Sequence, residues 1–434
     1  MSEKKIPSIL ILNFHSSYNA GDAALLESAI SQLRAVWSTA RIIVSANYPK
    51  EEYVHSLGVE VVPSFRALLE SQHGLSLILR LVAAGLYSAI ILLVPIVPSR
   101  FNLKRFLPKE WSQVLMAYQE ADLVVNCPGN MFLTLGLFGL PFILSALPVL
   151  LAHWYRKPFY VMPQTLGPLK RRWERGLLGR LYARARIVFI REKLSLQVAK
   201  ELHVPENKVF YVPDLAFGFS PRIDRDNARS LLQRSGYAAE HPAIGVTAIS
   251  RWTRAFDEKS FDQYYTAMAC ALARISDKYG ARIYFFPQVT GPSPIEDDRI
   301  AVKLIIDRMP SLQACVVHLD DRLSPSNLQA LFSFMDIFLA TRLHSGIFAL
   351  NMKVPTLFVG YVSKTRGILE SVHLQEWLVE LDSITEDKLY DKLEQLWRQR
   401  EAVNRLLTEI MPRIADQTNR VGKMISQDYH HARK

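Results

Sequence analysis

An arginine and a histidine lie at one strand-to-helix junction of this chain, where together they can bind and protonate an anion. Residues 337–341 form an apolar run that predicts a buried strand, and residues 345–352 have the pattern of a short helix. Arg342 and His344 lie between them. A helix start presents unpaired N–H groups and a partial positive charge, so it attracts anions. The added arginine and titratable histidine predict an anion site with a proton donor, although a surface arginine and a helix-capping histidine explain this stretch equally well.

Two further arginines, Arg191 and Arg251, each follow a predicted strand. Ligands of doubly wound sheets lie outside the carboxyl ends of the strands, so both side chains are candidates to complete the same anion pocket. The alternative is a structural ion pair, with Glu192 or Asp257 as the partner.

Strand and helix patterns alternate along the chain, which predicts an α/β protein whose parallel sheets carry helices on both faces. A charged run at 222–227 follows Ser220-Pro221 and has the character of a linker. We therefore expect two doubly wound, Rossmann-like domains facing a cleft, at residues 1–221 and 222–434, with a helical tail at 384–424. The expected strands are residues 9–13, 42–45, 123–126, 159–162, 187–190, 209–212, 244–248, 283–286, 316–319, 337–340 and 357–359.

Cysteine and histidine usage argues against several kinds of site. Cys127, Cys270 and Cys315 are far apart and lack C-x-x-C spacing, which is untypical of a disulfide framework or a cysteine zinc site. The chain has no H-E-x-x-H, and its D-x-D at 224–226 lies in the expected linker, so we predict no metal. The first apolar run is too short for a signal peptide, and we expect a cytoplasmic protein.

Basic charge is concentrated in the first half of the chain. Residues 1–222 hold 25 Lys+Arg against 15 Asp+Glu, whereas the remainder is nearly balanced. The apolar segment 75–98 is followed at once by basic residues, and its prolines and glycine do not suit a full membrane span. We expect residues 75–109 to contact an anionic membrane surface from the inner side, with solvated basic helices as the alternative. The apolar run 131–152 is expected to be a buried core helix.

Five motifs, in order and spanning residues 8–370, resemble those of the polysaccharide pyruvyl transferase family. The block that starts at Arg342 resembles the family's R-L-H, followed by a small residue, an I-F-A-L-like helix, V-P and a Y-x-x-K that ends here at Lys364. Residues 18–23 (YNAGDA) resemble N-x-G-D-x-A with the last alanine one place early. The others are residues 162–169 (MPQTLGPL), 190–195 (IREKLS) and 212–214 (VPD).

The resemblance implies transfer of a pyruvyl group from phosphoenolpyruvate to two hydroxyls of one sugar. The products are a cyclic ketal and free phosphate, and the pathway is exopolysaccharide or cell-surface glycan biosynthesis. It also implies the glycosyltransferase-B architecture, with no metal and no cofactor. We expect the first domain to take the sugar acceptor, a lipid-linked oligosaccharide, and the second to take phosphoenolpyruvate.

The roles of the junction residues follow from this chemistry. His344 is expected to be the general acid that protonates the donor methylene carbon. Arg342 is expected to bind the donor carboxylate or phosphate, because a guanidinium matches either group bidentately. By resemblance, Ser345 and Lys364 belong to the same donor site, and Lys364 supplies a second cation.

Five other residues are candidates for binding the acceptor. Asn19, Gly21 and Asp22 lie in the first strand-to-helix loop, where glycine permits close backbone approach. Helix capping is the favoured role for Asp22, and a contact with acceptor hydroxyls is the alternative. Gln164 and Thr165 end a strand, and they suit sugar hydroxyls as well as they suit hydrogen bonds within their own loop.

The chain departs from the family in residues 124–130 (VVNCPGN), where only Gly129 matches a glycine-rich turn. Proline restricts its own φ and the conformation of the preceding residue, so the conformation of this loop must differ from that of the family. We expect acceptor binding to depend on this loop more than donor binding does.

Two other functions remain open. One is a nucleotide-sugar glycosyltransferase of the same fold, for which Glu370 is a candidate to bind ribose hydroxyls. The other is an inactive scaffold of a polysaccharide assembly complex. Nucleic-acid binding is not expected, because the basic run at 156–193 lacks an aromatic platform and a recognised module.

Overall fold

The computed structural model contains two compact α/β units, each built on a parallel sheet. Among the described residues, the first unit comprises 6–17, 25–215 and 419–432, and the second comprises 18–24 and 216–418. The structure describes residues 6–70, 77–97, 103–134, 136, 139–250, 257–309, 316–318, 322–361 and 363–432.

Both sheets have the strand order of doubly wound nucleotide-binding folds. The first is ordered β3-β2-β1-β4-β5-β6-β7 and the second β10-β9-β8-β11-β12-β13, and all paired strands are parallel. The strands are β1 Ser8–Phe14, β2 Arg41–Ala46, β3 Glu60–Pro63, β4 Leu123–Asn126, β5 Phe159–Gln164, β6 Ile187–Ile190, β7 Val209–Tyr211, β8 Ala243–Thr247, β9 Arg282–Phe285, β10 Val316–His318, β11 Ile337–Ala340, β12 Thr356–Gly360 and β13 Leu378–Glu380. The order reverses between β1 and β4 and between β8 and β11, which are the points where such folds bind ligands.

The helices lie between the strands along the chain, except the last two, which follow β13. They are α1 Ala20–Val36, α2 Glu52–Ser56, α3 Phe65–Glu70, α4 Leu77–Leu93, α5 Lys109–Glu120, α6 Leu140–Trp154, α7 Arg172–Ala183, α8 Lys193–Glu201, α9 Arg225–Arg234, α10 Glu258–Tyr279, α11 Asp298–Ile306, α12 Pro325–Phe332, α13 Leu343–Asn351, α14 Ser363–Ser371, α15 Glu386–Thr418 and α16 Val421–His431. Within the described part of the chain, no helix is both long and apolar enough to cross a membrane.

The last helix, α16, packs on the first unit although it ends the chain. Asp428 accepts hydrogen bonds from the hydroxyl of Tyr160 at 2.8 Å and from Nε of Arg186 at 2.9 Å. Gly422 lies so close to Gln32 on α1 that a Cβ there would be 2.8 Å from the carbonyl carbon of Gln32. These contacts place residues 419–432 in the first unit, so one boundary near residue 221 does not divide the chain into the two units.

The expected alternation of strands and helices is confirmed, with two edge strands added. The sequence pattern did not predict β3 or β13, which are short and lie at sheet edges. The charged run expected to be a linker is instead the start of helix α9. Asp224 caps this helix by accepting a hydrogen bond from the backbone N–H of Asn227 at 2.8 Å, so the charges lie on a solvated helical face.

Helix α6 differs from the expected core helix because only one of its faces is buried. Phe142 and Val149 are fully buried, whereas Ile143, Leu150 and Trp154 are exposed. An apolar helix that is half-exposed in this way has an outer face that the described residues do not cover.

Helix α7 provides a matched test of packing in the first unit. A methyl group at Gly179 would overlap the carbonyl oxygen of Leu202, whereas one at Gly176 would meet nothing within 4 Å. We expect Gly179→Ala to lower the free energy of unfolding by about 1–3 kcal/mol through overpacking. Gly176→Ala should raise it by about 0.5–1 kcal/mol, because alanine favours the helix. Urea unfolding measures both, and equal effects would contradict the close approach of α7 to Leu202.

Candidate functional site

The junction between β11 and α13 holds the candidate catalytic residues. Arg342 is the residue before the helix, with φ −90° and ψ 128°, so His344 lies in the first turn. The helix begins two residues earlier than expected from the sequence. Ser345 is fully buried. Its hydroxyl donates to the carbonyl oxygen of Arg342 at 2.7 Å, and the same hydroxyl lies 2.7 Å from the hydroxyl of Thr247. In this conformation Ser345 ties the helix start to β8.

Arg342 is paired with Asp298, the first residue of α11. Its Nε lies 3.1 Å and its Nη2 2.5 Å from Oδ1 of Asp298, and Asp298 is inaccessible to solvent. Burial opposes the charge on Arg342, but Asp298 and Tyr361 outweigh it and raise the pKa of the guanidinium. Burial also raises the pKa of the Asp298 carboxyl, while Arg342 acts in the opposite direction. The arginine is therefore held charged and in one orientation.

The same carboxylate holds a loop that follows β9. Oδ2 of Asp298 accepts hydrogen bonds from the backbone N–H groups of Gln288 at 3.2 Å and Val289 at 2.9 Å. This loop pairs in turn with the loop before α1. The N–H of Ala20 donates to the carbonyl oxygen of Gln288, and the N–H of Thr290 donates to that of Tyr18, both at 3.0 Å. The segment 18–24 is thus part of the second unit.

Asn19, not Asp22, caps helix α1. The helix starts at Ala20, and Oδ1 of Asn19 accepts a hydrogen bond from the N–H of Gly21 at 3.0 Å. Asp22 lies in the first turn, where a carboxylate interacts favourably with the helix dipole. The expectation that Asp22 is the cap is corrected, because the helix begins two residues before it.

Gly21 lies directly against the imidazole of His344. A Cβ at Gly21 would be 2.6 Å from Cγ of His344 and closer still to Nδ1. No side chain larger than hydrogen fits between the α1 backbone and this ring, which explains the glycine. The segments around Gly21, Asp298, His344 and Tyr361 therefore meet in one place within the second unit.

Lys364 and Tyr361 complete this cluster on the C-terminal side. Tyr361 follows β12, hydrogen-bonds to Arg342, and has a phenol pKa raised by burial. Lys364 is the second residue of α14 and is half-buried. A lysine at a helix start adds its charge to that of the unpaired backbone N–H groups. Arg251 lies outside the described residues.

The candidates of the first unit form a separate, buried network. Arg191 is only 1% exposed; its Nη1 lies 2.5 Å from Oδ2 of Asp214 and its Nε donates to the hydroxyl of Thr165 at 2.8 Å. The Thr165 hydroxyl donates to Glu192 at 3.0 Å. Arg191 is thus an ion-pair residue here, and Asp214 is a closer partner than Glu192, from which its Nε is 3.7 Å away.

Gln164 is also committed to its surroundings. Its Nε2 donates to the carbonyl oxygen of Cys127 at 2.6 Å, and its Oε1 accepts from the hydroxyl of Tyr182 at 2.5 Å. Gly129, with φ 122°, forms a parallel bridge with Gln164: its N–H donates to the carbonyl oxygen of Pro163, and its carbonyl oxygen accepts from the N–H of Thr165. The unusual loop at 126–130 is therefore fixed to the end of β5, and Gln164 and Thr165 position it rather than facing solvent.

Sequence reasoning missed Asp298 and the Gln288 loop. The loop had a signal, a repeated hexapeptide: P-Q-x-x-G-P occurs at residues 163–168, where β5 ends, and again at 287–292, after β9. The second copy pairs with the Asn19 loop. Asp298 itself carries no local signal beyond its place at a helix start. Among the described residues, no group of three or more His, Cys, Asp or Glu side chains is arranged to hold a metal ion.

Comparison with known proteins decides the family. A family model described as polysaccharide pyruvyl transferase matches residues 19–363, a range that includes Arg191, Asp298, Arg342 and His344 and ends one residue before Lys364. The chain belongs to this family. It is 22% identical over 389 residues to the amylovoran biosynthesis protein AmsJ of Erwinia amylovora, and this match covers 89% of the chain and 91% of AmsJ.

Solved structures share the fold at low sequence identity. Anabaena HepE in complex with UDP-glucose has a TM-score of 0.59 at 12% identity, covering 98% of this chain and 99% of that one. The UDP-GlcNAc 2-epimerase of Neisseria meningitidis, bound to UDP-GlcNAc, also has a TM-score of 0.59 at 12% identity, covering 97% and 98%. Both likenesses support the glycosyltransferase-B-like fold.

The Arg342–Asp298 pair predicts a large loss of stability when its negative partner is removed. Asp298→Asn leaves a buried guanidinium uncompensated, so we expect a loss of about 3–5 kcal/mol in the free energy of unfolding. The matched control is Asp297→Asn at the neighbouring position, where the partner Arg299 is partly exposed and asparagine preserves the cap. Its effect should stay within about 1 kcal/mol. Similar losses in both variants, measured by chemical denaturation, would contradict a dominant role for the buried pair.

The contact of Gly21 with His344 predicts a local effect of Gly21→Ala. The added methyl group must displace the imidazole, so the nitrogen NMR resonances of His344 should shift. Gly176→Ala, which meets open space, should leave them unchanged. Unchanged His344 resonances in Gly21→Ala would show that the ring does not rest on this glycine.

Proposed function

We propose that this protein transfers a pyruvyl group from phosphoenolpyruvate to two hydroxyls of one sugar, in exopolysaccharide or cell-surface glycan biosynthesis. Family membership supports a transferase, and the AmsJ relative is named for the biosynthesis of an exopolysaccharide. The observation that carries the proposal is the imidazole of His344, packed on Gly21 at a helix start beside the buried, charged Arg342. This arrangement joins an acid–base group to an anion-binding helix end.

The reaction requires one proton donor and several positive groups. His344 gives a proton to the methylene carbon of phosphoenolpyruvate, which becomes a methyl group and leaves an oxocarbenium-like centre at C2. One sugar hydroxyl attacks C2 and returns a proton to His344, phosphate departs with the bridging oxygen, and the second hydroxyl attacks while its proton passes to the released phosphate. The net products are a cyclic ketal and inorganic phosphate. The carboxylate and phosphate of the donor explain the need for cations and helix starts.

Within this proposal, Asp298 changes how Arg342 acts. A guanidinium held in one orientation suits a carboxylate or phosphate, and its own carboxylate partner provides that orientation. Because Asp298 also offsets the charge of Arg342, the starts of α13 and α14 and the side chain of Lys364 must supply much of the attraction for the donor. We assign Lys364 the larger share of donor affinity.

The first-unit candidates are proposed to act on the acceptor through the loop at 126–130. Gln164 and Thr165 fix this loop, and Arg191 fixes Thr165. A sugar acceptor with a lipid-linked carrier is proposed to bind there. Asn19 and Asp22 are proposed as acceptor contacts at the α1 start, and Arg251 as a further donor contact.

A second candidate is a nucleotide-sugar glycosyltransferase, favoured by the solved structures of the same fold that hold UDP-sugars. Glu370, the carboxylate it would use for ribose, is exposed on α14. Nucleotide binding separates the two functions.

Isothermal titration with phosphoenolpyruvate, UDP and GDP tests the proposal. Wild type should bind phosphoenolpyruvate and neither nucleotide. Lys364→Met should weaken this binding by about tenfold or more, through loss of a charge-assisted contact. The control is Lys259→Met, an exposed lysine that is likewise the second residue of its helix. UDP or GDP binding without phosphoenolpyruvate binding would overturn pyruvyl transfer in favour of the glycosyltransferase.

The role of His344 is tested by turnover. His344→Gln should slow phosphate release from phosphoenolpyruvate by about 10²–10⁴-fold when lipid-linked oligosaccharides are supplied as acceptors, because the proton donor is lost. Its binding of phosphoenolpyruvate should stay close to that of wild type. The exposed His241→Gln serves as the control. A normal rate in His344→Gln would exclude it as the acid.

A further inference from the structure

Helix α4 presents a continuous apolar face to solvent. Ile78 is 74%, Val82 64% and Leu86 60% exposed, at spacings that place them on one side of a helix. Leu79 and Leu93 are also exposed and lie on the same side, as does the exposed Ala89. A run of large apolar side chains along a whole helix is unusual for a surface that meets only water. We call these residues the outer face of α4.

The opposite face anchors the helix to the first unit. Ile91 is fully buried, and the ring of Tyr87 packs on that of Trp111 with centroids 5.3 Å apart. The carbonyl oxygens of α4 are also used: Trp154 Nε1 donates to Leu92 at 2.9 Å, and the Tyr155 hydroxyl donates to Ile91 at 2.7 Å. The exposed side therefore belongs to a docked helix with a defined inner and outer face.

The surroundings of the outer face are basic and aromatic. No Asp or Glu occurs from residue 71 to residue 109, whereas five Lys or Arg residues do. Lys104 and Arg105 lie exposed in a short 3-10 turn next to α4, and the guanidinium of Arg105 stacks 4.7 Å from the ring centroid of exposed Phe106. Trp154, exposed at the end of α6, adds a second aromatic ring. Basic groups bind lipid phosphates, and amphipathic rings favour the headgroup region.

We propose that the outer face of α4 lies in the headgroup–acyl boundary of an anionic membrane, with the helix parallel to the bilayer surface. The apolar side chains enter the boundary, and Lys104 and Arg105 contact anionic headgroups. The exposed apolar residues Ile143, Leu150 and Trp154 of α6 extend the same kind of surface. This inference goes beyond the proposed function and does not depend on it.

Charge favours a membrane over a second copy of the chain as the occupant. In a twofold interface the same patch meets itself, so the basic surroundings of one outer face would oppose those of the other. An anionic lipid surface supplies the opposite charge for the same residues. The proposal therefore commits to lipid, and self-association is an outcome of the test.

The experiment is co-sedimentation of the full chain with vesicles of phosphatidylcholine, alone or mixed equally with phosphatidylglycerol. Wild type should bind the mixed vesicles, and added salt should weaken the binding. Val82→Glu with Leu86→Glu should lower the bound fraction by about tenfold or more, because two charges enter the apolar boundary. The control is Leu194→Glu with Leu406→Glu, which adds the same charge at exposed leucines on α8 and α15 and should bind like wild type.

Circular dichroism and light scattering complete the test. All variants should unfold like wild type, since the substituted side chains are exposed. If the α4 variant with two glutamates is less stable than wild type, Val82→Gln with Leu86→Gln replaces it. Absence of binding to mixed vesicles, or equal binding by the α4 and control variants, would overturn the proposal. A wild-type dimer that the α4 substitutions dissociate would overturn it in favour of self-association.

Discussion

The carboxylate of Asp298 is the group on which the second-unit site depends. It is fully buried, and it accepts hydrogen bonds from Arg342 and from two backbone N–H groups of the loop after β9. A buried charge is tolerated only when it is paired and hydrogen-bonded, so the carboxylate and the arginine fix each other. The loop that it holds then aligns with residues 18–20, and this alignment brings Gly21 against His344. One ion pair thus organises three separate segments of the chain.

The second constraint is the close approach of other side chains to the backbone, and two glycines around helix α13 allow it. Gly21 leaves room for the imidazole, and Gly346, in the first half of α13, leaves room for the ring of Phe358 on β12. A Cβ at Gly346 would be 2.9 Å from Cδ1 of Phe358 and closer to two other ring atoms. Helix α13 is therefore pressed against its sheet on one side while its first turn meets α1 on the other. The position of His344 follows from both contacts, and it needs no flexible loop.

The sequence predicted the fold and the strand-to-helix junction well, because both have local signatures. Apolar runs of strand length alternate with helical patterns, and the residues between β11 and α13 are contiguous. The partners of those residues were not predictable in the same way. Asp298 precedes Arg342 by 44 residues, and no periodicity links them. Arg191 similarly follows a strand, as a ligand-binding arginine would, but is buried against Asp214. A local sequence pattern shows which strand or helix a polar residue follows. The burial of its side chain and its ion-pair partner depend on segments distant in the chain.

The two capping assignments show the same limit at a finer scale. Asp22 and Asn19 are both good caps, and only the observed start of α1 at Ala20 distinguishes them. Asp224 is also a residue type that favours helix caps, but its charged neighbours have the pattern of a linker as long as the following helix is not known. Helix boundaries are the least certain part of a sequence pattern, and a shift of two residues exchanges these roles.

The grouping of residues 18–24 with the second unit has a consequence for how this protein can diversify. The chain passes from one unit to the other after residues 17, 24, 215 and 418. A gene fusion that exchanged everything after residue 221 between two relatives would pair the histidine of one parent with the glycine loop of the other. It would also replace the terminal helix that packs on the first unit. Recombination at the apparent midpoint is therefore tolerated only where the two parents match at both of these contacts.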